Sequence, residues 1–383
     1  MSQMHAPHNP FDAARFVSQR AGAIDASGIR KVFDLAAKLK DPINLSIGQP
    51  DFDVPDPVKQ KAVQAIDAGH NRYTPTQGIP ELLQAVRAHE KIDGRPDTGA
   101  LVLAGTSAGI LLAALATLNP GDEVLFLDPY FVMYKHVPKL ADAVPVPVDS
   151  YPDFRLHPER LEKAVTGRTR MLVLCSPANP TGITLSPEEL HAAADFAKRH
   201  GLLVISDEIY DAFCYGPHHS IAPLLPGQCL VLKGFSKTYA MTGWRLGYAV
   251  GPAAIIEQMT KLQQYTFVCA PSMAQTAALE TFIPGRVDMS NDVAAYRRKR
   301  DRMLEGLQDC YEIQKPGGAF YIFPKAPRGL TGSEFVRQAI ENNLLIIPGN
   351  VFSERDTHFR ISYAASDRTI DRGIEALRKL AKG

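Results

Sequence analysis

The sequence predicts an α/β fold: a mostly parallel sheet flanked by helices, with a smaller, discontinuous α+β domain. Three observations lead there. Short apolar runs recur at 101–104, 124–127, 171–174, 202–205, 230–232 and 247–250, each closed by turn residues. Helical patterns separate most of them, as at 187–200, and strands alternating with helices specify a parallel sheet covered on both faces. After Pro316-Gly317-Gly318 the pattern changes to short mixed elements.

The elements follow in order. Residues 1–25 read as an irregular N-terminal arm. Apolar residues at Ile29, Val32, Phe33, Leu35, Ala36 and Leu39 carry the helical period, and Lys40-Asp41-Pro42 ends it. Residues 99–120 contain no charge and are long enough to span a bilayer. Gly105-Thr106-Ser107 interrupts that run, so a buried strand, a turn and an apolar helix fit it better. A long helical segment is expected at 260–280 and another at 291–307. Ala319-Phe320-Tyr321-Ile322-Phe323 reads as extended, 334–342 as helix, 344–347 as strand and 369–381 as a final helix. The expected organisation is an arm (1–25), a large domain (46–280) and a small domain assembled from 26–45 and 281–383.

Composition narrows the function. The chain has 42 Lys and Arg against 41 Asp and Glu, a net charge of +1, so no field draws in nucleic acid or an anionic membrane. The five cysteines are odd in number and form no C-x-x-C pair, which argues against a disulfide framework or a structural zinc site. The N-terminal residues contain no apolar core of a secretion signal. A cytoplasmic setting is the expectation. His218-His219, His5 and His8 lack metal-ligand spacing and read as surface residues, and Cys175 and Cys269 as small buried hydrophobes.

The chemistry is expected where strands end, because ligands of parallel sheets bind beyond the carboxyl ends of the strands. The run at 101–104 leads into Gly105-Thr106-Ser107-Ala108, and that at 171–174 into Ser176-Pro177-Ala178-Asn179-Pro180-Thr181-Gly182. The run at 202–205 leads into Asp207-Glu208-Ile209-Tyr210, and that at 230–232 into Gly234-Phe235-Ser236-Lys237. If these strands are neighbours, Asn179, Asp207, Tyr210 and Lys237 share a pocket beside the start of a helix. Free N–H groups there suit a phosphate, and Arg245 adds a fixed charge. A pocket lysine can form a Schiff base, and an aspartate facing a pyridine nitrogen keeps it protonated. Together these describe a site for pyridoxal 5′-phosphate (PLP). Each feature alone has an ordinary structural reading: a solvated lysine, a turn aspartate, a helix start.

The segment from Gly234-Phe235-Ser236-Lys237-Thr238-Tyr239 through Met241-Thr242-Gly243-Trp244-Arg245 resembles the lysine signature of class I/II aminotransferases, PLP enzymes of fold type I. Gly48-Gln49-Pro50-Asp51-Phe52, Tyr73-Thr74-Pro75, Pro120-Gly121-Asp122-Glu123-Val124, Asn179-Pro180-Thr181-Gly182, Asp207-Glu208-Ile209-Tyr210, Gly318-Ala319-Phe320-Tyr321 and Phe359-Arg360-Ile361-Ser362-Tyr363 match in the family's order. The resemblance runs from about Ser27 to the C-terminus. It is strongest toward the bacterial and archaeal aspartate/aromatic group. It implies a seven-stranded sheet and a role for each residue. Lys237 bonds the cofactor and then moves a proton between the substrate α-carbon and the cofactor. Asp207 pairs with the ring nitrogen, and Asn179 and Tyr210 bond the ring oxygen. Arg245, Thr106, Ser107 and Ser236 hold the phosphate. Phe131 stacks on the ring, where many relatives carry Trp or Tyr. Tyr73 reaches the neighbouring subunit's phosphate, which implies a homodimer with active sites at its interface. Arg360 takes the substrate carboxylate, and Gly48 lets the N-terminal segment close over it. Gly234 stands where some relatives have a phosphate-binding Ser.

The expected function is ping-pong transfer of an amino group from an L-amino acid, of aspartate or aromatic type, to a 2-oxo acid such as 2-oxoglutarate. The uncharged helix after Gly105 offers no second cation for an aspartate side chain. A PLP-dependent C–S β-lyase is the alternative on the same scaffold. A non-catalytic regulator is disfavoured, because no basic DNA-binding footprint is present.

Overall fold

In a computed structural model the chain is described over residues 12–25, 28 and 39–382. The helix expected over 29–39 falls almost wholly outside the described residues. The described part of the arm is not wholly irregular: it holds two short helical turns, Ala13–Phe16 and Gln19–Gly22.

Among the described residues, twelve strands form three sheets. They are β1 (Ile43–Asn44), β2 (Thr98–Leu103), β3 (Glu123–Asp128), β4 (Val144–Asp149), β5 (Thr169–Cys175), β6 (Leu203–Asp207), β7 (Cys229–Gly234), β8 (Gly247–Pro252), β9 (Tyr321–Ile322), β10 (Leu344–Leu345), β11 (Ile347–Pro348) and β12 (Phe359–Ser362). The main sheet has seven strands in the order β2-β8-β7-β6-β5-β3-β4. Neighbours from β7 through β4 run parallel, and β8 alone runs antiparallel to both its neighbours.

The central strands are continuous apolar runs because both faces are covered. Their side chains still alternate. Val124, Phe126, Met171 and Val173 join one core with Leu112 and Met259. Leu125, Leu172 and Leu174 join another with Phe196 and Ala193. The helix Pro187–His200 starts at a Ser186/Glu189 capping box and stops at Gly201 in the left-handed conformation.

Three expectations needed correction. β4, Val-Pro-Val-Pro-Val-Asp, was not anticipated: its prolines lack N–H donors, and it lies at the sheet edge paired only with β3. The helical segment at 260–280 is two helices, Ala253–Thr266 and Ser272–Ala278. Val268 at φ 65° and Pro271 separate them. The strand at 344–347 is also two pieces. β10 pairs with β1, whereas β11 joins β12 and β9 in an antiparallel sheet.

This topology fixes the site. β5, β6 and β7 are adjacent and parallel, and β2, across β8, points the same way. The segments after all four therefore leave the sheet along one edge.

Candidate active site

Along that edge lies a cavity of about 280 Å³. It is lined by Lys237, Asp207, Tyr210, Asn179, Arg245, Ser236, Thr106, Ser107, Phe131, Arg360 and Gly48. Of the residues singled out in the sequence, Tyr73 does not line it: its side chain is 84% exposed. That is a position from which it can touch another molecule.

Lys237 lies in the short helical turn Phe235–Thr238 directly after β7. Its Nζ donates to the Gly48 carbonyl at 2.6 Å. Burial, reinforced by Arg360 and Arg245, lowers its pKa to about 8. About a tenth of the amine is therefore neutral, and nucleophilic, at pH 7, far more than for an ordinary lysine.

Asp207 ends β6 and is 3% exposed. Burial raises its pKa to about 6, against the Tyr134 hydroxyl and the Ile209 amide, which both lower it. The Tyr134 hydroxyl donates to Asp207 Oδ2 at 2.6 Å. Tyr134 lines the same cavity and escaped the sequence reading. The available signal was its place three residues after Phe131, one helical turn along. The two rings meet edge to face, 5.8 Å apart.

Asn179 and Arg360 act as a pair. Arg360, on β12, is 1% exposed. Its Nη1 donates to Asn179 Oδ1 and its Nη2 to the Ser46 carbonyl, each at 2.9 Å. Its Nε has no hydrogen-bond partner among the described residues. The Tyr210 and Tyr321 hydroxyls lie 2.9 Å apart, and Tyr321 also stands beneath the Arg360 guanidinium. Tyr321 was noted in a motif but given no role. A Cβ on Gly48 would come within 2.7 Å of the Tyr321 hydroxyl, so only glycine brings the backbone this close.

At the other end of the cavity, Gly105 adopts φ 84° and precedes the helix Thr106–Thr117, whose first turn has no side-chain cap. Its leading amides are free to bind an anion. Arg245, itself at φ 53°, lays its guanidinium where a Gly105 Cβ would otherwise sit, 2.5 Å from that position. Three readings change. Cys175 is not simply core: it is half-buried at the floor of this cavity, and burial pushes its thiol pKa up, leaving it inert. Cys269 is likewise only half-buried. His218 is not a free surface residue either, since its Nε2 lies 4.0 Å from buried Glu208.

The arrangement combines a nucleophilic amine, a buried carboxyl, a buried guanidinium with an open N–H, and an anion cradle. Among the described residues no helix is long and apolar enough to cross a membrane. The family model for aminotransferase class I and II matches residues 40–377. An aspartate aminotransferase of Pyrococcus abyssi is 38% identical, with 96% of this chain and 98% of that protein aligned. Aromatic-amino-acid aminotransferase 2 of Thermococcus litoralis is 37% identical over 96% of this chain and 98% of the relative. The structure of Thermus thermophilus aspartate aminotransferase with maleate superposes with a TM-score of 0.89 at 34% identity, covering 95% of this chain and 99% of that one. The chain belongs to the class I and II aminotransferases, with the α/β architecture of fold type I, and is a transaminase.

Proposed function

We propose that this aminotransferase uses PLP at the Lys237 cavity to move the amino group of an L-amino acid of aspartate or aromatic type to a 2-oxo acid, with 2-oxoglutarate as acceptor. The observation that carries this reading is the convergence of half-buried Lys237 with buried Asp207 and Arg360 on one cavity with an anion cradle at its end. Relatives named for aspartate and for aromatic amino acids support the substrate range.

The residues fit the cofactor. Arg245 fills the space beside Gly105, and the uncapped helix start presents N–H groups to a phosphate, joined by the hydroxyls of Thr106, Ser107 and Ser236. When bound, PLP supplies an electrophilic aldehyde and a ring that accepts the electron pair left as the α-proton departs.

This chain's residues do the rest. Lys237 Nζ would hold the cofactor through its aldehyde carbon, give way there to the substrate amine, and as a free amine accept the α-proton. Asp207, held by Tyr134, keeps a proton on the ring nitrogen. Asn179 Oδ1 is occupied by Arg360, which leaves its amide N–H to donate to the ring oxygen beside Tyr210. Phe131, which lines the cavity, would stack on the ring. Arg360 receives the substrate α-carboxylate, for which a planar guanidinium fork is suited. The segment around Gly48 closes the cavity to water. In the first half-reaction the 2-oxo acid leaves and the amino group stays with the enzyme; in the second another 2-oxo acid removes it.

The division into a large domain (46–280) and a small one (26–45 with 281–383) is supported by the pairing of β1 with β10. A homodimer with Tyr73 completing the neighbour's site is part of the same reading, consistent with that side chain's exposure. The test is Lys237→Ala. Loss of both covalent PLP incorporation and amino-group transfer is expected, and an unchanged transfer rate would sink the assignment.

A further inference from the structure

Arg360 poses a problem that its known contacts do not solve. It is fully buried, and both of its described hydrogen-bond acceptors are uncharged. A buried cation without a counter-charge needs other stabilisation. Two aromatic rings supply it. The guanidinium carbon lies 4.6 Å from the Tyr321 ring centroid and 4.5 Å from that of Phe352. Attraction of a desolvated guanidinium to a ring face is strong and directional. Tyr321 lines the cavity; Phe352 does not.

Phe352 is itself held in place. It is fully buried and follows the turn Gly349–Val351. Its carbonyl accepts from the Tyr130 amide at 2.7 Å. Ser353 Oγ accepts from the Tyr151 hydroxyl at 2.9 Å. The Glu354 carboxylate accepts from the Tyr130 hydroxyl at 2.6 Å and from Lys135 Nζ at 2.7 Å, and the Glu354 amide donates to Asp128 Oδ2 at 3.2 Å. Three consecutive residues are thus tied to the large sheet, chiefly to the segment that ends β3 and carries Phe131 and Tyr134.

We propose that Phe352 is a positioning residue for substrate-carboxylate binding, setting the plane of Arg360, and that the Tyr130–Glu354–Lys135 latch holds Phe352 in that position. The proposal rests on the reading that Arg360 binds the substrate carboxylate. It links the two halves of the site: the segment that bears the cofactor-facing Phe131 and Tyr134 also aligns the arginine on the substrate side.

The test uses PLP-loaded enzyme carrying Phe352→Leu, Glu354→Ala or Arg360→Ala. Leucine keeps an apolar side chain of similar bulk but has no ring face. Phe352→Leu is expected to raise KM about tenfold for both the amino donor and the 2-oxo acid, since both present a carboxylate to Arg360. The Kd of an α-methyl amino acid, which has no α-proton to lose, should rise by the same factor. kcat should stay within about threefold, and PLP affinity should be unchanged. Glu354→Ala, at a half-exposed side chain that the fold tolerates, should raise KM about threefold in the same way and keeps the test available if Phe352→Leu folds poorly. If the Phe352 and Glu354 variants lose kcat or PLP while KM holds, Phe352 is only packing and the proposal is overturned. The Arg360 reading then stands provided Arg360→Ala raises KM. If Arg360→Ala leaves KM unchanged, the carboxylate reading itself fails and takes the proposal with it.

Discussion

Tyr134→Phe probes the electrostatics of the site most cleanly. The substitution removes one hydroxyl and leaves the ring. In the wild type that hydroxyl donates to Asp207 Oδ2 at 2.6 Å in a buried setting. A hydrogen bond to an ionised group contributes about 1.5–3 kcal/mol and a neutral one about 0.5–1.5. The bond therefore favours the carboxylate over the carboxylic acid by about 1–1.5 kcal/mol. At about 1.4 kcal/mol per pKa unit, its loss moves Asp207 from about 6 to roughly 7.

The sign follows from proton linkage. Because the folded-state pKa of Asp207 lies above its ordinary 3.8, folded protein holds the proton longer than unfolded chain. This group's contribution to stability is therefore fully present below pH 4 and declines as pH rises to about 6. In Tyr134→Phe the decline continues to about pH 7. Urea unfolding of cofactor-free protein should show the variant less stable by about 1 kcal/mol at pH 5 and by about 2–2.5 kcal/mol at pH 8. A stability difference that is flat or shrinking between pH 5 and 8 would refute the reasoning.

Other outcomes follow from the same structure. The rate of PLP incorporation at Lys237 should rise from pH 6.5 and level off above about pH 9, with its midpoint near the amine's pKa of about 8; a rate still climbing steeply at pH 10 would show an ordinary exposed lysine. Arg360→Ala should weaken substrate binding by about 2–5 kcal/mol, read as KM and as Kd of an α-methyl amino acid, because a desolvated charge pair loses one partner. Lys233 lies 3.1 Å from Glu90, 3.4 Å from Asp211 and 3.6 Å from Glu208, behind the active-site turn. Lys233→Met should cost about 3–5 kcal/mol of stability, since buried Glu208 and half-buried Glu90 and Asp211 lose their shared cation. A loss below about 1 kcal/mol in urea unfolding would mean that solvent screens the cluster.

What could be read from the sequence was local. Continuous apolar runs located β2, β3, β5, β6, β7 and β8, because strands buried on both faces carry little but apolar residues. β4 stayed hidden because two prolines interrupt its five-residue alternation, a pattern tolerable only at an edge, and edge position is not written locally. Lys237, Asp207 and Asn179 were found because each stands at the end of a strand or within a few residues after one. Tyr134 was missed because its partner Asp207 lies 73 residues away, and Phe352 because its ring meets Arg360 only after the chain turns back between them. The break at Val268 was likewise invisible, since nothing in Phe267-Val268-Cys269 announces a left-handed backbone before Pro271. The unpartnered Nε of Arg360 is a property of packing and appears only in three dimensions.

The most direct test of the central claim is a single half-reaction. PLP-loaded enzyme is mixed with glutamate, aspartate or phenylalanine and no acceptor, and the 2-oxo acid released is counted against active sites. Transamination predicts one equivalent per site, then arrest, with release resuming when 2-oxoglutarate is added. Continuous release of pyruvate and ammonia without acceptor, from cysteine conjugates, would instead mean a lyase. No release from any amino acid would contradict the roles assigned to Lys237 and Arg360.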